Sequence, residues 1–390
     1  MKILVLNTGS SSLKFELFKK SKNPTSLASG LIDRIGKPDC KLTFKSETKD
    51  IGIKLKVKTH DQAVKEAIEI LKKTGTIEKN SEITLVGHRV VHGGEHYQKP
   101  IKIDAKVIKA IKELASLAPL HNPANLKGIT AAKKLFPKAK HAAVFDTAFY
   151  QTLPKKSYLY AIPKELYEKY GIRRYGFHGT NHQYVTETAT KLLNNKKDLK
   201  IISIHLGNGS SITASLGGQA IDTTMGFTPL EGLPMGTRSG TIDPSIVLEI
   251  QKIKRLNPKK TDEYLNEKCG LLALSGISSD MREIYGASLK KDPKALETIE
   301  YLAYKIAKQI GAYAAALNGV DAIIFTAGMG EKAFYVREQA CEYLTHLGIK
   351  LDKTKNRKNE QLISSTKSKS KVFVIPADEE YYIAKNSLKI

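Results

Sequence analysis

This chain predicts a two-domain α/β protein, and three observations carry the prediction. Strand and helix patterns alternate along most of its 390 residues, 41% of those residues are hydrophobic, enough for two cores, and one strand–turn–strand unit occurs twice. The first copy is the opening stretch ILVLNTGSSSLKF, residues 3–15, and the second is IISIHLGNGSSI, residues 201–212.

In the opening unit, apolar residues run to Leu6, then Asn7, Gly9 and three serines form a turn. Leu13, Phe15 and Leu17 next alternate with Lys14 and Glu16, which is a strand pattern and not a helical one. A Walker loop or a dinucleotide fingerprint would lead from its glycines into a helix, and neither motif is present. Glycine and serine often make plain turns. Their matched placement 200 residues apart, Gly9-Ser10-Ser11 and Gly209-Ser210-Ser211, points instead to two phosphate hairpins clasping one nucleotide. Asp146 follows the apolar strand 142–145, a common place for a functional carboxylate. Farther on, Leu296, Ile299, Ala303, Ile306, Ile310, Tyr313 and Leu317 recur at helical spacing, ending at Asn318-Gly319. A strand at 322–325 then runs into Thr326-Ala327-Gly328-Met329-Gly330-Glu331, a glycine-rich entry to another helix and a third phosphate-friendly turn.

The net charge of +24 invites a nucleic-acid reading, but only nine of the 63 basic residues are arginines. The lysines are dispersed as surface pairs such as Lys72-Lys73 and Lys259-Lys260, with no aromatic-interleaved basic stripe. A solvated surface, with no nucleic-acid partner, is the expectation. Cys40, Cys269 and Cys341 are odd in number and far apart, so neither a disulfide framework nor a zinc site is expected. The apolar run after Lys2 is too short for a signal peptide and no run suits a membrane span, which predicts a cytoplasmic protein with no membrane partner.

Eight ordered motifs carry a family resemblance: NTGSSSLKF from Asn7, GHRVVHGG around Arg89, APLHNP around His121, VFDTAFYQ around Asp146, RYGFHGTNH around His178, HLGNGSS at 205–211, TPLEGLPMGTRSG around Arg238 and PADEEYYIA around Glu379. With these the chain resembles the acetate kinase family, of the acetate and sugar kinase/Hsp70/actin superfamily, nearly end to end. The resemblance implies a duplicated ribonuclease-H-like fold with an interdomain cleft. Residues 1–148 plus a returning helix at 378–390 would form the N-terminal domain, and 149–377 the nucleotide-binding and dimerisation domain of a homodimer.

The implied reaction is reversible, magnesium-dependent, in-line transfer of the γ-phosphoryl group of ATP to acetate, giving acetyl phosphate and ADP. Manganese is the alternative ion. Such chemistry needs positioning and charge neutralisation, and arginine forks suit both carboxylate and phosphoryl groups. Five of the nine arginines fall in or beside the motifs: Arg89, Arg173, Arg174, Arg238 and Arg282. By resemblance, Asp146, His178 and Arg238 are catalytic, with His178 and Arg238 on the transferring phosphoryl group and Asp146 in an acid/base or activating role; because acetate arrives ionised, Asp146 is read here mainly as an orienter of Arg89, Arg238 or the magnesium waters. Arg89 would take the acetate carboxylate, and Val91, Leu120, Phe177 and Pro229 its methyl group. Asn7 and Glu379 match the magnesium positions. Ser12 and Lys14, then His205, Leu206, Gly207, Asn208 and Gly209, match nucleotide positions. So do Asp280, Met281 and Arg282, and Gly328, Met329, Gly330, Glu331 and Lys332. His121 would be supportive.

Several positions depart from the family pattern. Tyr150 replaces the usual histidine, Asn181 a serine, and Thr241 an aspartate whose loss could loosen Arg238; Ala327, Met329 and Lys332 alter the adenosine side. The alternatives are a propionate or other short-chain acyl kinase of the same family and, from another class, an actin- or Hsp70-like ATP-binding protein.

Overall fold

In the computed structural model, which describes residues 1–119 and 121–390, the chain divides into two compact units, Met1–Gln151 with Asp378–Ile390, and Thr152–Ala377. Five strands of the first unit run antiparallel in succession: β1 (Lys2–Thr8), β2 (Ser12–Lys19), β3 (Thr25–Asp33), β4 (Lys41–Ser46) and β5 (Asp50–Lys54). On the other side of β1, β6 (Ile83–Val90) pairs parallel, the short β7 (Ile101–Lys102) forms the edge, and β8 (Lys140–Phe145) lies parallel to β6. The sheet order is β5-β4-β3-β2-β1-β6-β8-β7.

β1 is apolar throughout because both faces of the sheet are covered. Leu4 and Leu6 join a core with Val64, Ala67 and Ala132, from the helices His60–Lys73 and Asn122–Leu135. Ile3 and Val5 pack instead with Leu85, Val144, Ile383 and Ala384, the last two from the returning helix Glu379–Ser387. That helix lies so close to β6 that a Cβ at Gly87 would meet Ser387 Oγ at 2.7 Å and Ile383 Cγ2 at 2.8 Å. Only glycine fits the approach.

The second unit repeats the plan. β9 (Lys200–Leu206), β10 (Ser210–Leu216) and β11 (Gln219–Thr223) are antiparallel, while β12 (Ala322–Thr326) lies parallel to β9 and β13 (Lys371–Val374) parallel to β12. Their order, β11-β10-β9-β12-β13, is that of β3-β2-β1-β6-β8 in the first unit. Two sheets with one strand order and one pattern of directions make the fold a duplicated, ribonuclease-H-like one. The two glycine–serine hairpins occupy equivalent central places in it.

The long helix Pro293–Leu317 is N-capped by Asp292, whose side chain accepts from Ala295 N, and it stops at Asn318, in the left-handed region with φ 54°. Its buried face includes Ile299, Ala303, Ile306, Ile310, Tyr313 and Leu317. Leu296, grouped with them in the sequence, is 48% exposed. It shares the angular position of the buried face but sits in the first turn of the helix, ahead of the neighbours that cover the later turns. Cys40, Cys269 and Cys341 are free thiols. Among the described residues, no helix is long and apolar enough to cross a membrane.

Candidate active site

In the first unit, the carboxyl ends of three adjacent strands converge in one cluster. Asn7 is the penultimate residue of β1, Arg89 that of β6, and Asp146 follows β8. This is the edge at which parallel strands commonly present ligand groups. Arg89 Nε donates to both oxygens of Asp146 at 3.1 Å, Nη2 donates to Oδ2 at 2.5 Å, and Nη1 donates to Asn7 Oδ1 at 3.2 Å. The side edge of the guanidinium is thereby fixed, and one hydrogen remains on each of Nη1 and Nη2, the end-on pair suited to a second carboxylate. Burial alone would lower the Arg89 pKa, but the charges of Asp146, Glu379 and Glu380 outweigh it and hold the group above its ordinary value.

Glu380 is a member of this cluster that motif reasoning missed. It accepts from Asn7 Nδ2 at 3.3 Å and from Lys14 Nζ at 2.6 Å. Asn7 and Lys14 are direct partners across the β1–β2 hairpin, so one buried carboxylate spans both. Burial pulls the Lys14 pKa down, Glu380 pushes it up, and the net shift is upward. Lys14, matched by resemblance to ATP, is thus ion-paired with Glu380 here; Ser12 opens β2, its carbonyl accepting from Gly9 N at 2.9 Å.

Glu379 is held well above the ordinary carboxylate range, first by burial and then by Asp146 and Glu380, with Arg89 opposing. No group of three or more His, Cys, Asp or Glu side chains suited to a metal occurs among the described residues. The residues nonetheless fit magnesium: Glu379 and the Asn7 amide are hard oxygen donors, the ion keeps several waters, and a cation would relieve the crowding of carboxylates around Glu379.

In the second unit, His178 immediately precedes the helix Gly179–Leu192 with φ 58°. A non-glycine residue in the left-handed region is strained, and such strain concentrates at functional sites. Its ring stacks on His205 with centroids 4.1 Å apart and planes 13° from parallel. Asn181, one turn along, brings its side-chain amide to 2.8 Å from His205 Nδ1. A Cβ on Gly209 would lie 3.1 Å from His178 Nε2 and 3.6 Å from Arg238 Nη1, so the hairpin turn, the histidine and the arginine meet at one point.

Arg238 Nη1 donates to Pro229 O at 3.2 Å. Burial lowers its pKa, and no carboxylate pairs with it among the described residues. Thr241 closes the loop: its Oγ1 accepts from Gly232 N at 3.0 Å and its N donates to Gly232 O at 2.9 Å. The segment carrying Pro229 is also clamped by Glu231, which accepts from Tyr160 Oη and from Arg174 Nη2. Phe177 is 2% exposed and Pro229 is half-buried. In the first unit Val91 is buried, its N donating to Asn125 Oδ1 at 3.0 Å. Leu120 lies outside the described residues.

Beside the β9–β10 turn opens a cavity of about 560 Å³. Gly207 and Asn208 reach it from the hairpin, Asp280, Met281 and Arg282 from the start of the helix Met281–Ser288, and Gly328, Met329 and Lys332 from the glycine-rich turn. Gly330 and Glu331 stand off its wall: Gly330 O accepts from the buried Arg337 Nη1 at 2.8 Å, and Glu331 accepts from Ala377 N at 2.9 Å. His205 and Leu206, at the end of β9, are buried and do not line it, Leu206 lying in the core. Sequence reasoning missed the aromatic wall. Tyr285 and Tyr335 stack at 3.7 Å with planes 4° apart, and Phe334 meets both edge-on. The adjacent Phe334-Tyr335 pair just after the glycine-rich turn was the available signal. An apolar slot beside a glycine-rich turn suits a purine with its phosphates.

Comparison with known proteins identifies the family. The chain is 50% identical to acetate kinase of Thermotoga maritima, covering all of this chain and 98% of that one. It is also 50% identical to acetate kinase of Thermoanaerobacterium thermosaccharolyticum, with 100% and 99% covered. Among solved structures, Porphyromonas gingivalis acetate kinase superposes with a TM-score of 0.94 at 42% identity, and a Francisella tularensis propionate kinase with 0.94 at 41%; both cover 100% of this chain and 99% of theirs. The acetokinase family model matches residues 2–385, and the chain belongs to that family.

Proposed function

We propose that this protein is an acetate kinase, transferring the γ-phosphoryl group of ATP reversibly and in line to acetate, with acetyl phosphate and ADP as products. The observation that carries the reading is Arg238: a half-buried guanidinium without a carboxylate partner among the described residues, set against Gly209 and His178. A partly desolvated cation left without a counter-charge is well placed to take an anion as ligand. Arg238 and His178 would stabilise the equatorial oxygens of the phosphoryl group in transit, where its charge is spread.

Arg89 would receive the acetate carboxylate on its end-on hydrogens, with Asp146 holding the guanidinium plane. Acetate, like other carboxylates, has a pKa of about 4–5 and arrives ionised, so Asp146 serves as an orienter and not as a base. Asn7 and Glu379 are the residues that would hold magnesium or manganese, which when bound neutralises charge on phosphate oxygens. The aromatic-walled cavity would take the adenosine.

The likeness to a propionate kinase favours propionate as a second substrate. One methylene is worth roughly 1–3 kcal/mol, so propionate should be used about 10- to 200-fold less efficiently. We further propose a cytoplasmic homodimer formed through the second unit, where Ile246, Leu248 and Ile253 stand exposed on the helix Pro244–Lys254.

Trapping the acyl phosphate with hydroxylamine, in reactions of ATP and magnesium with acetate, propionate or butyrate, tests the reading. Hydroxamate should form in the order acetate, propionate, butyrate, and its absence from all three would refute the assignment.

A further inference from the structure

Behind His178 lies a line of three buried side chains that the proposed chemistry does not use. His178 Nδ1 is 2.9 Å from Ser211 Oγ, Ser211 Oγ is 2.7 Å from His182 Nε2, and His182 Nδ1 is 2.7 Å from Ser203 Oγ. Ser203, Ser211 and His182 each have no solvent exposure. The secondary structure explains the alignment. His178 and His182 are four residues apart at the start of one helix, so they share a face. Ser203 and Ser211 lie on the adjacent strands β9 and β10.

The direction of the hydrogen bonds follows from proton counting. His182 is neutral, because burial and then the neighbouring His205 lower its pKa well below the ordinary value. A neutral imidazole has one N–H and one acceptor nitrogen, and each serine has one proton to give. Ser203 Oγ has His182 as its hydrogen-bond partner and no other among the described residues. If His182 Nδ1 donated to Ser203, the serine proton would be buried without an acceptor, at a cost of about 1–3 kcal/mol. Ser203 therefore donates to His182 Nδ1, His182 Nε2–H donates to Ser211 Oγ, and Ser211 donates to His178 Nδ1. The proton of a neutral His178 is then on Nε2, the nitrogen beside Gly209.

We propose that Ser203, His182 and Ser211 form a one-way hydrogen-bond relay that fixes His178 as its Nε2–H tautomer, making the three of them positioning residues for phosphoryl transfer. The catalytic part rests on the role given to His178 above; the tautomer does not. Outer-shell partners that orient metal-ligating histidines typically contribute about 10- to 100-fold to affinity or activity, and a loss of the same order is expected for a histidine oriented toward a phosphoryl group.

Nitrogen-15 NMR of histidine-labelled protein reads the tautomer directly. Wild-type His178 should show a protonated Nε2 and an acceptor Nδ1, and Ser211→Ala should abolish that preference while the fold persists by circular dichroism. Ser211→Ala should lower kcat about 10- to 100-fold with KM for ATP and for acetate changed less than about 3-fold, and Ser211→Thr, which keeps the hydroxyl, should recover most of it. In a His178→Ala background, Ser211→Ala should have no further effect. A protonated Nδ1 in the wild type, or additive losses in the double variant, would overturn the relay. Wild-type kcat in His178→Ala alone would instead remove His178 from the chemistry, and the NMR result would still decide the relay.

Discussion

The guanidinium of Arg89 is gripped along one edge by Asp146, with Nε 3.1 Å from both carboxylate oxygens and Nη2 2.5 Å from Oδ2. Asp146 is 1% exposed, so removing its charge strands a mostly buried cation. Asp146→Ala should therefore destabilise the protein by about 3–5 kcal/mol in urea unfolding, and Arg89→Ala, which strands the more deeply buried carboxylate, should destabilise it by a similar amount and in addition raise the KM for acetate. Unchanged dependence on acetate in Arg89→Ala would remove that residue from the carboxylate role.

Glu380 ties Asn7 to Lys14 across the first hairpin. Glu380→Gln keeps the shape and removes the charge that raises the Lys14 pKa. The expected outcome is a higher magnesium concentration at half-maximal velocity and a higher KM for ATP, with the KM for acetate little altered. Metal titration of initial rates checks this, and equal shifts for all three would indicate general loosening instead.

Tyr335 stacks on Tyr285, and its hydroxyl donates to Met281 O at 3.3 Å. Aromatic pairs contribute about 0.5–1.5 kcal/mol beyond area burial, so Tyr335→Ala should raise the KM for ATP at least 2- to 10-fold without changing that for acetate. The ratio of ATP to GTP use should shift in the same variant. A wild-type KM would mean that the base binds elsewhere.

Burial brings the His92 pKa down to about 3, against about 6.5 in an unfolded chain. Between those values the unfolded state binds more protons than the folded one. The stability due to a neutral His92 is thus complete above about pH 6.5 and declines as pH falls toward 3, by up to about 1.4 kcal/mol per pH unit. His88, His141 and His182, also lowered chiefly by burial, act in the same sense. Glu16, which burial pushes up to about 7, acts oppositely: its contribution improves as pH falls through 7. Urea midpoints measured from pH 7 to 5 should fall less steeply in His92→Gln and more steeply in Glu16→Gln than in the parent. Parallel curves would contradict both assignments.

The hairpins were legible in the sequence because period-two alternation and Gly-Ser turns are local signals, and the structure has both as antiparallel strand pairs, β1–β2 and β9–β10. What could not be read was pairing between distant segments. Lys14 and Glu380 are 366 residues apart, and their contact depends on hairpin register and on a helix docking against β1 and β6. Tyr285 and Tyr335 are 50 residues apart on different helices, so their stack has no signature in either stretch. Leu296 was misplaced for a related reason: periodicity gives a face, and only the packed neighbours fix where burial begins.

The segment Asp378–Ile390 belongs to the first unit, yet all of Thr152–Ala377 is translated before it. Until then the sheet face formed by Ile3, Val5, Leu85 and Val144 lacks the cover of Ile383 and Ala384, and Asp146 and Arg89 wait without Glu379 and Glu380. A nascent chain therefore carries an uncovered apolar face through most of its synthesis, a surface on which chaperones act and aggregates nucleate. The carboxylate cluster assigned to magnesium and substrate forms only when that face closes, so the catalytic competence of the first unit and the completion of its core are a single event.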